Sequence, residues 1–116
     1  MQKSCEVRFT RYYRAAPAEV WAALTDADSL RRWLGPAVEL GRVTRSEPER
    51  VLELDWDAGG EEPSVVRFDL TATGEGTRLV LDHRRIDARI GMRAIVDWER
   101  RLLRLQSLVE RSTVAR

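Results

Sequence analysis

The chain has 116 residues, of which 43% are hydrophobic and 34% charged, and its formal net charge is +1. This composition predicts one globular domain over residues 1–116. No apolar run reaches the length of a signal sequence or a membrane span, so we expect a cytoplasmic protein without membrane attachment. A net charge near zero argues against nucleic acid as a partner. Cys5 is the only cysteine, which excludes an intrachain disulfide and a multi-cysteine metal site.

The N-terminal third predicts one strand followed by two short helices. Apolar residues alternate with polar ones from about Cys5 to Tyr13, which is typical of a half-buried strand. Pro17 suits the first turn of a helix, because proline lacks the N–H that has no partner there. Thr25-Asp26 favours a break, and Gly35-Pro36 ends the second helix.

The middle of the chain predicts antiparallel strands, each with one apolar face. Leu40 to Arg45 forms a first strand, and the strands that follow show strict alternation. The turn from Thr73 to Gly76 predicts a tight hairpin, in which we expect glycine at positive φ. The inward-facing sets are Leu52, Leu54 and Trp56; then Val66, Phe68, Leu70 and Ala72; then Leu79, Leu81 and His83.

From about Arg89 the apolar period changes from two residues to 3.6, which predicts a long amphipathic C-terminal helix. Its apolar stripe consists of Ile95, Trp98, Leu102, Leu105 and Val109, and is widened by Met92, Val96 and Leu103. A long helix packed on an antiparallel sheet is an α+β fold.

Three segments carry a resemblance to a known family. They are the run from Val7 to Asp26 with Trp33-Leu34-Gly35-Pro36, the hairpin Gly74–His83, and the helix Asp97–Leu105. Together they resemble the SRPBCC (START-like) superfamily, and within it the bacterial proteins classed with the activator of the heat-shock-protein-90 ATPase. The resemblance implies a helix-grip fold, in which a curved sheet wraps the C-terminal helix and leaves an apolar cavity.

Compared with that family, the chain is shorter by about one hairpin after Gly35-Pro36. Fewer strands predict either a smaller and more open cavity, or apolar surface and sheet edges that a second subunit covers. The width of the stripe on the last helix favours self-association, so we expect a homodimer.

The candidate ligand-binding residues lie on the inward faces of the strands and of the last helix. They are Phe9, Trp33, Trp56, Phe68, His83, Ile95, Trp98, Glu99 and Leu102. Tryptophan offers a large apolar area and one hydrogen-bond donor, although core packing explains these tryptophans equally well. His83 and Glu99 could orient a ligand. Alternatively, His83 is a satisfied core or rim residue, and Glu99, at the edge of the apolar stripe, pairs with an arginine in solvent.

These features predict a small binding module that holds an apolar or amphipathic molecule between sheet and helix, without cofactor or metal. One alternative is a protein-interaction domain with a co-chaperone-like role, as the family namesake suggests. A second is an enzyme similar to the cyclases and dehydratases of the superfamily, with His83 or Glu99 as its acid or base.

Overall fold

The computed structural model of the chain describes residues 4–35, 40–56 and 63–114. Five strands and three α-helices follow one another along the chain, with a single turn of 3-10 helix before the last one. They are β1 (Ser4–Tyr13), α1 (Pro17–Thr25), α2 (Ala27–Trp33), β2 (Leu40–Glu47), β3 (Val51–Trp56), β4 (Ser64–Ala72), β5 (Thr77–Asp87), the turn Ala88–Ile90 and α3 (Gly91–Val114). The strands and helices occur in the predicted order.

The strands form one antiparallel sheet in the order β1-β5-β4-β3-β2. Its inner face carries the apolar residues and packs on α3, so the α+β, helix-grip arrangement is confirmed. Ala72, predicted to face inward, is exposed near the end of β4. The pair Gly59-Gly60, which the sequence predicts to end the strand that carries Trp56, lies outside the described residues. Among the described residues, no helix is both long and apolar enough to span a lipid bilayer.

The outer face of the sheet is charged in an alternating row. Register places one residue of each strand in this row: Arg8, Asp82, Arg67, Glu53 and Arg45. Nε of Arg8 lies 2.7 Å from the Asp82 carboxylate, and Nη1 of Arg67 lies 3.7 Å from that of Glu53. Opposite charges face each other across neighbouring strands, which keeps this face solvated.

The two short helices begin and end at the residues that the sequence indicates. Asp26 caps α2, because its Oδ2 accepts a hydrogen bond from the Ser29 backbone N–H at 2.9 Å. Gly35 follows α2 with a φ of 111°, a backbone conformation that residues other than glycine rarely adopt. Trp33 at the end of α2 donates its Nε1–H to the carbonyl of Ala23 at 2.8 Å, which joins the two helices.

The helix α3 buries a narrower stripe than the sequence indicates. Trp98, Leu102, Leu105 and Val109 are buried as predicted. The three residues that widened the stripe are instead solvent-exposed, because they lie on the side of the helix that the sheet does not cover: Met92 at 80%, Val96 at 48% and Leu103 at 63%.

The turn between β4 and β5 needs glycine for a different reason than expected. Neither Gly74 nor Gly76 has a positive φ, so that prediction is wrong. A Cβ on Gly76 would lie 2.0 Å from the backbone oxygen of Tyr13, whereas a Cβ on Gly74 would meet nothing within 4 Å. The close approach of the β1 backbone therefore requires glycine at position 76.

Candidate functional site

Five rings meet between the inner face of the sheet and the helices α2 and α3. We call them the aromatic cluster: Trp33, Trp56, Phe68, His83 and Trp98. The Trp98 ring contacts those of Trp56 and Phe68 at centroid distances of 5.0 and 6.1 Å. The Phe68 ring meets Trp33 edge-on at 6.1 Å. Such aromatic pairs add about 0.5–1.5 kcal/mol each beyond area burial.

Strand register explains why these side chains converge. His83 on β5 lies opposite Val66 on β4, and Trp56 on β3 lies opposite Ser64 on β4. Ser64 and Val66 are two residues apart, so their side chains point to the same face of the sheet. The register therefore brings Trp56, Ser64 and His83 together at one end of the inner face.

Three hydrogen bonds run through the cluster in one direction. Trp98 donates its Nε1–H to Nδ1 of His83 at 2.8 Å. An indole nitrogen can only donate, so Nδ1 is the acceptor and the imidazole proton lies on Nε2. Nε2 then donates to Oγ of Ser64 at 2.6 Å, and that hydroxyl donates to the backbone carbonyl of Trp56 at 3.0 Å. Among the residues that the structure describes, each buried polar side-chain atom has a partner within the protein.

His83 is neutral at pH 7. Burial, and to a lesser extent the charge of Arg101, lowers the pKa of His83 to about 4. Both ring nitrogens are in hydrogen bonds, whereas a general base needs a nitrogen within reach of the substrate. The geometry is that of a histidine that positions its neighbours.

Arg101 on α3 covers two rings of the cluster. Its guanidinium carbon lies 5.4 Å from the Trp56 ring centroid and 5.2 Å from that of Trp98. The side chain is half-buried, and burial lowers the pKa of the guanidinium. Asp97, one turn earlier, favours its charged form, yet within the described ranges no carboxylate lies at ion-pair distance from Arg101.

The structure places the remaining candidate residues at different depths. Leu102 is buried on α3, and Ile95 is half-buried on the same helix. Phe9 is half-buried on β1, with the guanidinium carbon of Arg11 5.2 Å above its ring. Glu99 is exposed on α3.

Two residues of the site were missed in the sequence, although both carry a signal. Ser64 is in phase with Val66 and Phe68, so alternation alone assigns it to the inner face. Arg101 follows Trp98 by three residues and therefore lies beside it on the helix surface. Neither signal shows that the residue contacts Trp56, because Trp56 comes close to Ser64 and Arg101 only in the folded protein.

The described surface also has grooves away from the cluster. One of about 570 Å³ is bounded by Pro17, 48–51 and 69–72. Another, of about 560 Å³, is lined by 4–6, Val65 and 84–85. Neither contains a candidate residue. In the ranges that the structure covers, no three His, Cys, Asp or Glu side chains are arranged to hold a metal ion.

Solved structures share this fold over almost the whole chain. Protein MLL2253 from Mesorhizobium loti is 26% identical, with a TM-score of 0.81 over 92% of this chain and 98% of that one. An AHSA1-like protein from Rhizobium etli is 27% identical, with a TM-score of 0.75 over 95% and 87% of the two chains. The Aha1 dimer from Colwellia psychrerythraea is 17% identical and shares the fold, with a TM-score of 0.75 over 91% and 96%.

The sequence itself matches a family profile over most of its length. No protein with a curated function matches the chain. The profile described as "Activator of Hsp90 ATPase homolog 1-like protein" matches residues 37–110, which include β2 to β5 and most of α3. The chain therefore belongs to the family of Activator of Hsp90 ATPase homolog 1-like proteins.

Proposed function

We propose that the protein binds a small apolar or amphipathic molecule at the aromatic cluster, between the sheet and α3. The observation that carries this proposal is the position of Arg101, which lies over the faces of Trp56 and Trp98. Arg101 is half-buried, and its side chain is long and flexible. Its displacement would open an apolar surface of the kind that small-molecule sites use.

In this proposal the candidate residues have distinct roles. Trp56 and Trp98 contact the ligand. Phe68 packs against Trp98, and Trp33 packs against Phe68. Ile95, Leu102 and Phe9 extend the apolar wall. His83 positions the Trp98 indole and does not contact the ligand, and Glu99 is not part of the site.

The test uses the neutral dye N-phenyl-1-naphthylamine, whose fluorescence rises in apolar sites. We expect saturable binding to the wild-type protein, and loss of that binding in Trp56→Leu. Trp21→Leu is the matched control, because Trp21 is half-buried on α1 and is not part of the aromatic cluster. Absence of dye binding to the wild type, or equal binding by both variants, would contradict the proposal.

We do not propose catalysis. Both ring nitrogens of His83 are in hydrogen bonds within the protein, so neither is available to a substrate. Glu99 is exposed, whereas an acid or base of this kind lies in a desolvated pocket. The cytoplasmic location expected from the composition stays a prediction.

As a second function, we propose protein interaction, with a second copy of the chain as the partner. The exposed side of α3 carries an apolar row, Met92, Val96 and Leu103, at helical spacing. Glu110 continues this row, and its Oε2 accepts a hydrogen bond from the backbone N–H of Arg14, directly after β1, at 3.0 Å. The row therefore lies on the same side of the molecule as β1, which is an edge strand of the sheet.

The sequence of β1 is complementary to itself in one register. A twofold axis at Val7 would place Glu6 opposite Arg8 of the partner strand, and both side chains lie on the exposed face of β1. An axis at Arg8 would instead place the two arginines opposite each other. Opposite charges stabilise a cross-strand pair and like charges destabilise it, so the first register is favoured. The other edge strand, β2, has two register shifts in its pairing with β3, whereas β1 has one, between Cys5 and Val7.

Light scattering over a concentration series tests this interaction. We expect twice the 13.4 kDa mass of the chain for the wild type, and a shift towards monomer in Glu6→Arg and in Leu103→Glu. Glu75→Arg, in the exposed turn before β5, is the control for the same charge change. A wild type that stays monomeric would contradict dimer formation. In that case, stimulation of a purified Hsp90 ATPase would assign the surface to a chaperone, as the family name suggests.

A further inference from the structure

We infer that the ligand of the aromatic cluster is an amphipathic anion. Its apolar body would lie against Trp56 and Trp98, and its carboxylate, sulfonate or phosphate would pair with Arg101. The inference rests on the proposed ligand-binding function and narrows its ligand class. It follows from which polar groups near the cluster are already used within the protein.

Two of the three indole donors of the cluster, those of Trp33 and Trp98, are already used within the protein. Trp33 gives its N–H to the Ala23 carbonyl, and Trp98 gives its N–H to His83. His83 in turn gives its proton to Ser64, whose hydroxyl is bound to the Trp56 carbonyl. A polar group on the ligand must therefore be recognised outside this chain of hydrogen bonds.

Arg101 is a charged group beside the cluster that is available to a ligand. Arginines on the outer face of the sheet are paired with carboxylates: Arg8 with Asp82 at 2.7 Å and Arg84 with Glu53 at 3.2 Å. Arg101 has no such partner within the part of the chain that the structure describes, although it is half-buried. A partly desolvated charge without a counter-ion is destabilised, and an anionic ligand would offset that cost.

The position of Arg101 leaves it able to bind an anion. The guanidinium is planar, and all its N–H groups point outward in that plane. Its carbon lies over the Trp56 and Trp98 rings at 5.4 and 5.2 Å, and once the side chain moves aside to admit a ligand, its donors can form two parallel hydrogen bonds to a carboxylate. The charges that act on Arg101 are those of Asp97 and Arg104 on α3, while His83 beneath it is neutral.

A matched pair of dyes tests the anion directly at pH 7. N-phenyl-1-naphthylamine is neutral, and 8-anilinonaphthalene-1-sulfonate is the same molecule with one sulfonate. We expect the wild type to bind the sulfonate roughly ten- to a hundredfold more tightly, as charge-assisted hydrogen bonds allow. Displacement of the bound dye by octanoate, and not by octan-1-ol at the same concentration, is expected to follow.

Two substitutions on α3 distinguish a specific effect of Arg101 from an effect of the net charge of the protein. Arg101→Gln should abolish the preference for the sulfonate over the neutral dye. Arg104→Gln removes the same charge from an exposed position of α3 and should change neither affinity. Arg101→Lys, which keeps the charge but not the planar fork, should retain part of the preference and controls for a folding defect in Arg101→Gln.

The outcomes distinguish the inference from the function on which it rests. Equal affinity of the wild type for both dyes would contradict the inference that the ligand is an anion, but not the proposal that a ligand binds at the aromatic cluster. An equal loss of sulfonate binding in Arg104→Gln and Arg101→Gln would also overturn it, since the dye would then follow net charge. Binding of neither dye would overturn the proposed function and the anion together.

Discussion

The hydrogen bond from Trp98 to His83 joins the sheet to α3 through two buried side chains. The residues are 15 positions apart in sequence, and Nε1 of Trp98 lies 2.8 Å from Nδ1 of His83. Because the imidazole also donates to Ser64, the bond fixes the orientation of the ring and the position of its proton. The indole face presented to Arg101 is thereby held in place.

Trp98→Phe should show how much the protein depends on this bond. Phenylalanine keeps an aromatic ring but removes the donor and leaves Nδ1 of His83 buried without a partner. We expect the free energy of unfolding to fall by roughly 2 to 4 kcal/mol, from the unpaired acceptor and the lost volume. Urea denaturation measures it, with Trp21→Phe as a control of smaller effect. A loss below 1 kcal/mol would show that the bond contributes little.

The pKa of His83 predicts a pH dependence of stability. It is about 4 in the folded protein and 6.5 for a histidine in solvent, so the unfolded chain binds the proton more tightly. Stability from this group is therefore complete above pH 6.5 and is lost as the pH falls towards 4. The full difference corresponds to roughly 3 kcal/mol.

His83→Gln separates this contribution from that of the carboxylates. Urea denaturation of both proteins at pH 7 and at pH 4.5 gives the loss of stability for each. We expect a smaller loss for the variant, because glutamine does not titrate. Equal losses in the two proteins would mean that His83 titrates normally in the folded state, against the neutral, hydrogen-bonded ring seen here.

Tyr13 offers a test of the contact between β1 and α3. Its hydroxyl donates to the Leu102 carbonyl at 3.1 Å in a buried position, and burial raises the pKa of the phenol. Tyr13→Phe removes this bond and leaves a helix carbonyl that keeps its bond within α3. We expect a loss of about 1 kcal/mol in urea denaturation. An unchanged free energy of unfolding would indicate that water replaces the hydroxyl.

Much of the fold depends on local interactions and could be predicted from the sequence. Pro17 and Gly35 delimit the two short helices, and period-two alternation assigns Leu79, Leu81 and His83 to the inner face. The exposure of Met92 could not be predicted, because helical periodicity gives the direction of the apolar stripe on α3 but not how much of that stripe the sheet covers.

The site was less predictable, because its contacts depend on register between strands. Alternation predicts that His83 points inward, but it does not pair that ring with Ser64 or Trp98. That pairing requires Val66 to lie opposite His83, which is a property of the assembled sheet. The role of Arg101 was missed for a related reason, since its second ring, Trp56, comes from a distant strand.

Gly76 and Gly74 form a matched pair for the turn between β4 and β5. Both glycines lie in the same turn and neither has a positive φ, so backbone strain does not distinguish them. A Cβ at position 76 would lie 2.0 Å from the Tyr13 oxygen and 3.1 Å from the Ala15 nitrogen. Both of these atoms belong to backbone, which cannot yield as a flexible side chain can.

We therefore expect Gly76→Ala to lower the free energy of unfolding by about 2 kcal/mol or more, and Gly74→Ala to leave it within about 0.5 kcal/mol. The contact also involves Thr77, whose hydroxyl donates to the Ala15 carbonyl at 2.6 Å and ties the turn to the end of β1. Hydrogen exchange should therefore show faster opening around Thr77 in Gly76→Ala only. Equal stability of the two variants would mean that the chain can move apart at this point, and that the β1 edge is less firmly held than its contacts indicate.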